Sequence, residues 1–278
     1  MKINKTLNKI AATVAFMSVL VVGYSEAAKS DETPQTISLK GTVRDFQASH
    51  PDFEFSFFGR TTGSDKNIVT TEIGADKKPV FNSNNESITA TTAENFDQWY
   101  NDVEGVNLST TLSLRLIKDA DTGMYVYDSD AFFPINDRLY GNIKDDPTVI
   151  EQLATLRSRW SEQEWFTDKW EEQGFKDRNY HFTYEAHSRF TYQGGEVFTF
   201  SGDDDVWVYI NGKRVIDIGG VHVEESQTVN LDDIAAEAGI EVGETYNFDF
   251  FFAERNFSGS NFKITTSIEL EEVPIFAD

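Results

Sequence analysis

The chain has 278 residues, with 24 Lys and Arg against 47 Asp and Glu and no cysteine. A net charge of −23 at pH 7 disfavours nucleic acid and anionic membrane surfaces as partners and favours cations. Disulfides and thiolate metal sites are excluded, and a chain of this length buries enough core to fold without such staples.

Residues 1–27 read as a secretory signal peptide. Lys2, Lys5 and Lys9 precede an apolar run of 13 residues over 10–22, and Ser25 and Ala27 stand at a cleavage-site spacing. The run is too short for a comfortable membrane span, and no apolar stretch of spanning length follows it. Removing 1–27 takes away three Lys and one Glu, so the remainder is the more acidic part. The expectation is a secreted, extracellular or cell-surface protein, or a periplasmic one, without stable membrane insertion after cleavage.

A polar lead-in over 28–40 precedes a single domain over 41–270 and a short tail over 271–278. The stretch 65–88 is loop-rich, and "AENFDQWYNDV" reads as a short helix. Asp146 and Pro147 are suited to the N-cap and first position of a helix, with Val149, Ile150, Leu153, Leu156 and Trp160 on one face. Ser161 and Glu164 make a capping box for a further helix that Gly174 ends, and "DDIAAEAG" is a last short one.

Aromatic residues alternate with polar ones through the C-terminal half. Phe182, Tyr184, Ala186, Phe190 and Tyr192 share one parity before Gln193-Gly194-Gly195 and the run from Val197 to Phe200, a pattern that predicts a half-buried hairpin. "VWVYI" and "KRVIDI" flank Asn211-Gly212, the strongest short hairpin signal, because both central residues of a type I′ turn need positive φ. "TYNFDFFFAE" and "SNFKITTSIEL" suggest a third pair across the loop 255–259. The fold class is mainly β, an antiparallel barrel or sandwich with short helical insertions.

Asp203, Asp204 and Asp205 stand together in one turn before a strongly β-forming run. Adjacent carboxylates repel unless something positive lies between them, and Ca²⁺ takes six to eight such oxygens at roughly 2.3–2.6 Å. Asp203 and Asp204 are the candidate carboxylate donors, with Glu254, Asn256 and Asn261 available from a later loop. The 12-residue spacing of an EF-hand is absent. The residues alone leave a second reading open, a solvated acidic turn.

His50, His181, His187 and His222 show no zinc spacing; His187 falls within a strand and reads as structural. His222 follows Gly219-Gly220 and is a candidate ligand contact. So is Trp207, which alternates with Val206 and Val208, one face of that strand facing the core and the other lying nearer solvent. No nucleophile elbow or phosphate-binding loop is present, and nothing singles out a catalytic carboxylate pair among so many acids.

"GTVRDFQASHPDFE", "FDQWYNDV", "YDSDAFFPI", "HFTYEAHSRFTYQGGEVFTFSGDDDVWVYINGKRVIDIGGVH" and "FFAERNFSGSNFKITT" together resemble the fibro-slime domain family, a branch of the protective-antigen-type (PA-fourteen) β-barrel superfamily. The resemblance runs over about 41–266. It implies a compact β-barrel of secreted and cell-surface proteins, adhesins among them. Some lectin-like relatives hold Ca²⁺ with two adjacent aspartates joined by a cis peptide and an asparagine from a later loop. Carried over, these fall on Asp203, Asp204 and Asn261, while Asn256 stands where relatives commonly have His. The resemblance implies a non-enzymatic, calcium-dependent carbohydrate-binding protein that attaches to cell-surface or matrix glycans. The alternatives are an extracellular structural or protein-recognition domain in which calcium only stabilises a loop, and, third, a glycoside hydrolase.

Overall fold

The computed structural model describes residues 34–54, 60–152, 170–257 and 259–271. The signal-peptide reading of 1–27, the helix face beyond residue 152, the capping box at Ser161 and most of the tail lie outside the described residues.

Ten strands form one antiparallel sheet. They are β1 (Thr36–Phe46), β3 (Asn107–Lys118), β4 (Tyr125–Ser129), β5 (Phe182–Thr191), β6 (Val197–Gly202), β7 (Asp205–Ile210), β8 (Lys213–Ile218), β10 (Glu225–Asn230), β11 (Thr245–Glu254) and β12 (Phe262–Thr266). Two-residue strands β2 (Gly63–Ser64) and β9 (Gly220–Val221) pair separately. The order across the large sheet is β10-β6-β12-β4-β3-β1-β5-β11-β7-β8. It curls until edge strands β8 and β10 approach one another, where the Asp217 N–H donates to the Gln227 side chain at 2.9 Å. The result is a nearly closed barrel.

Alternation explains the interior. Phe182, Tyr184, Ala186 and Phe190 of β5 point inward beside Phe248, Phe250 and Phe252 of β11, and all are essentially inaccessible. They meet Phe198 and Phe200 of β6 and Phe262 of β12 across the core, with Phe198 and Phe248 rings 5.3 Å apart. This corrects two expected hairpins. β5 pairs with β1 and β11, β6 pairs with β10 and β12, and β11 does not pair with β12. Their apolar faces cover each other from opposite walls, so adjacent segments in sequence become facing strands. The β7–β8 hairpin forms as expected, with Asn211 and Gly212 at φ of 50° and 78°.

A second apolar layer covers the outside of β5, β11 and β7. Ile68, Val69, Phe96, Trp99 and Tyr100, from the 60–106 excursion and its helix α1 (Ala93–Asp97), pack on Trp207, Tyr209 and Phe251. Every residue of β7 is therefore buried, and the expectation of a solvent-facing side on that strand is corrected. Thr92 caps α1 by accepting the Asn95 N–H, and helix α2 (Leu231–Ala238) ends on left-handed Gly239, as its sequence predicts. Asp146 caps the helix beginning at residue 147 by accepting the N–H groups of Thr148 and Val149 at 2.8 and 3.2 Å. Val149 is buried there, but Ile150 is 53% exposed rather than on the same covered face.

His187 on the outer face of β5 lies between Asp249 at 2.7 Å and Glu185 at 3.0 Å. Burial disfavours its charge, but these two hydrogen bonds and charges outweigh it and raise its pKa to about 9. A raised histidine pKa adds stability that is complete below the ordinary value near 6.5 and is lost as pH climbs toward 9. With 36% of the side chain exposed, screening reduces the effect to on the order of 1 kcal/mol. The loss of unfolding free energy between pH 6 and pH 10, read by denaturant titration, should be smaller in His187→Gln than in the wild type by about that amount, and an unchanged pH slope in that variant would count against the assignment.

Candidate functional site

The site lies where β6 hands over to β7. Asp203 and Asp204 form the turn between them, and Asp204 takes a positive φ of 51°. Asparagine and aspartate tolerate this conformation better than most residues, since their short polar side chains bond locally. Asp205 opens β7 on the same face as Trp207 and Tyr209 and is fully buried beneath the second apolar layer.

The three carboxylates have separate tasks. Asp205 forms a fully buried ion pair with Arg255, Oδ2 to Nε at 2.6 Å, and its Oδ1 accepts the Gly220 N–H at 2.7 Å. Arg255 also donates to the Asp52 and Thr89 carbonyls at 3.1 and 2.7 Å and stacks 4.5 Å over the Trp99 ring. Asp204 accepts the Arg255 N–H at 2.8 Å and the His222 N–H at 3.2 Å. Asp203 Oδ2 accepts both the backbone N–H and the side-chain amide of Asn261, at 3.0 and 2.8 Å. Gly259 passes over the same carboxylate so closely that a Cβ there would stand 2.8 Å from Oδ2.

A cleft of about 280 Å³ opens above this turn. Asp203, Asp204, Glu254, Asn256, Asn261 and His222 all line it, so the structure brings together every sequence-predicted site residue except Trp207. Trp207 is fully buried under α1 and the excursion, its indole N–H donating to Asp217 at 3.1 Å, and it is corrected to a core residue. Sequence reasoning did not single out Val223 and Glu224, which complete the rim. It also missed Asp205–Arg255; the only available signal was a lone cation at the end of an aromatic strand, "FFFAER".

Among the described residues every peptide bond is trans, the Asp203–Asp204 link included, in contrast to the cis peptide that the resemblance implies. Burial raises the pKa of Asp203 against its hydrogen bonds from Asn261, and raises Asp204 more strongly, against the nearby Arg255 charge. Glu254 is 1% exposed, and burial followed by the Asp204 charge lifts it well above the usual carboxylate range. Neither of its oxygens has a hydrogen-bond partner; the neighbouring Ser260 hydroxyl donates to the Phe132 carbonyl at 2.8 Å instead. His222 Nδ1 lies 2.8 Å from the Val223 carbonyl, which must accept, so Nδ1 carries the proton. In the neutral ring Nε2 is an acceptor, and it too is buried without a hydrogen-bond partner.

The donors here are hard oxygens from two aspartates and an asparagine amide, with an unsatisfied carboxylate beside them, a set that fits Ca²⁺. Among the described residues no three acidic or histidine side chains already converge as a metal cage. None of the described helices is long and apolar enough to cross a membrane.

The PA14 domain family model matches residues 121–275. Protein psiC of Dictyostelium discoideum is 35% identical over 243 residues, covering 84% of this chain and 42% of its own length. Protein psiR of the same organism is 34% identical over 240 residues, 85% of this chain and 22% of its own. The chain thus spans less than half the length of these curated relatives. Among solved structures, the PA14 sugar-binding domain from RTX adhesin aligns over 76% of this chain and 96% of that one, at 8% identity and a TM-score of 0.29. On the family match and the extent of the psi homology, the chain belongs to the PA14 domain family.

Proposed function

We propose that the protein is an exported, calcium-dependent carbohydrate-binding module of lectin type, acting in adhesion or matrix attachment outside the cell and catalysing no reaction. The observation that carries this is the meeting of Asp203, Asp204 and Asn261 in one cleft beside the unpartnered carboxylate of Glu254. Membership of a family in which sugar-binding and adhesin modules are frequent supports the same reading.

Asp203, Asp204 and the Asn261 amide oxygen are the groups that hold the ion, with Asn256 and Glu254 at its flank. When bound, calcium supplies open coordination positions for a pair of sugar hydroxyls. The chain's own part is orientation. The Arg255 and His222 N–H groups fix the Asp204 carboxylate, and the Asn261 backbone fixes that of Asp203. Val223, 84% exposed at the rim, offers an apolar contact for a sugar ring.

Calcium titration by calorimetry, followed by glycan-array binding with and without chelator, tests the reading. Wild-type protein should bind about one ion, and Asp204→Asn should weaken it by roughly two orders of magnitude, since a buried charge-assisted contact of about 3 kcal/mol is lost. Chelator-insensitive glycan signal, or full retention by Asp204→Asn, would remove the site from consideration. A second reading, in which calcium only stiffens the loops, has one observation in its favour: the same carboxylates already tie together backbone at residues 222, 255 and 261. It predicts a calcium-dependent melting temperature with no glycan bound.

A further inference from the structure

The chemistry of the cleft wall restricts which sugars it takes. Four carboxylates line it, from Asp203, Asp204, Glu224 and Glu254, and among the described residues no lysine or arginine does. The nearest buried cation, Arg255, is turned away and committed to Asp205, Thr89 and Asp52. With all four ionised, a divalent ion would balance two of these carboxylates and leave two without a counter-charge. The wall is also rich in acceptors and poor in donors. Both Glu254 oxygens and the His222 Nε2 are buried, unsatisfied acceptors, and one of the two Asn261 amide N–H groups is already spent on Asp203.

Resting on the carbohydrate-binding reading above, we infer that the cleft selects amino sugars carrying a free amine and rejects acidic ones. A protonated primary amine brings three N–H donors and one positive charge, which answers both deficits at once. Glu254 is the residue that discriminates, because its buried carboxylate borders the cleft and, among the described residues, forms no ion pair. N-acetylation of the sugar removes the charge and all but one of the donors. A uronic or sulfated sugar instead brings a second anion into an already negative cleft, where low-dielectric walls magnify the repulsion.

The test compares three oligosaccharide probes by calorimetry in saturating calcium: glucosamine oligomers, their fully N-acetylated counterparts and oligogalacturonate. The expected result is binding of the amine form about tenfold more tightly than the N-acetylated form, equivalent to one charge-assisted contact, with no binding of the uronate. The preference should shrink as salt is raised. In Glu254→Gln the ratio between amine and N-acetyl forms should fall to about one. Equal affinity for the two forms in the wild type, or uronate binding, overturns the amine preference and leaves the carbohydrate reading standing. Failure to bind any oligosaccharide overturns both. Should Glu254→Gln not fold, the wild-type ratio and its salt dependence still decide the matter.

Discussion

Arg255→Met should cost about 3–5 kcal/mol, a large part of what holds a domain of this size together. The substitution roughly keeps side-chain volume and removes the charge together with the guanidinium donors. Asp205 would then be an ionised group with 0% exposure and a single remaining donor, the Gly220 N–H. The Asp52 and Thr89 carbonyls lose their guanidinium donor, and Trp99 loses the cation stacked on its face. Breaking one half of a buried pair is far more damaging than replacing both, so the double variant Asp205→Leu/Arg255→Met should recover much of the loss. Urea denaturation of the two singles and the double forms the cycle. A single variant within about 1 kcal/mol of wild type would mean that the pair is not what locks the 60–106 excursion to the barrel.

Phe262→Ala should be comparably severe, about 3–5 kcal/mol, because a fully buried ring is removed from a packed aromatic cluster. Its ring centroid lies 4.3 Å from Phe132, 5.0 Å from Phe252 and 5.1 Å from Phe200. These partners come from three different segments, so no single neighbour can move in to fill the space. The residue also follows Asn261 directly and sets the register of β12 against Gly202 and Ser129. Loss of the ring should therefore weaken calcium binding as well as stability. Phe262→Leu, which retains most of the volume, should restore both to within about 1.5 kcal/mol. Stability lost with calcium affinity unchanged would show that the site is positioned by its own hydrogen bonds rather than by the core beneath it.

What the sequence made legible was local. Asn211-Gly212 specifies its hairpin within a few residues, Asp146-Pro147 marks a helix start, and "DDIAAEAG" reads as the short helix that ends on Gly239. Alternation correctly identified the inward face of β5. It could not say which strand lies alongside, because a buried face fixes a direction and not a neighbour; hence the two hairpins that become opposite walls. Trp207 was misplaced for a related reason. Its covering layer comes from residues more than 100 positions earlier, in a stretch whose polar and turn-forming content reads as loop. The later loop was only a candidate to meet Asp203 and Asp204, since nothing in the spacing places residues 58 apart within hydrogen-bond reach; the tertiary fold brings Asn261 there.

The order of the three aspartates makes this turn intolerant of length change. Asp203 faces Asn261, Asp204 is held in a left-handed turn position by two backbone donors, and Asp205 is the first residue of β7 and the partner of Arg255. Three chemically identical residues are thus told apart only by their address. Deleting any one of them leaves two aspartates in the alignment, yet forces a choice between keeping the pair at the cleft and keeping the anchor in the core. Substitutions at this turn are graded, but a one-residue gap is all-or-none. Homologues that carry only two acidic residues here can retain the cleft pair only if another group serves as counter-ion, or if the position equivalent to Arg255 has lost its charge.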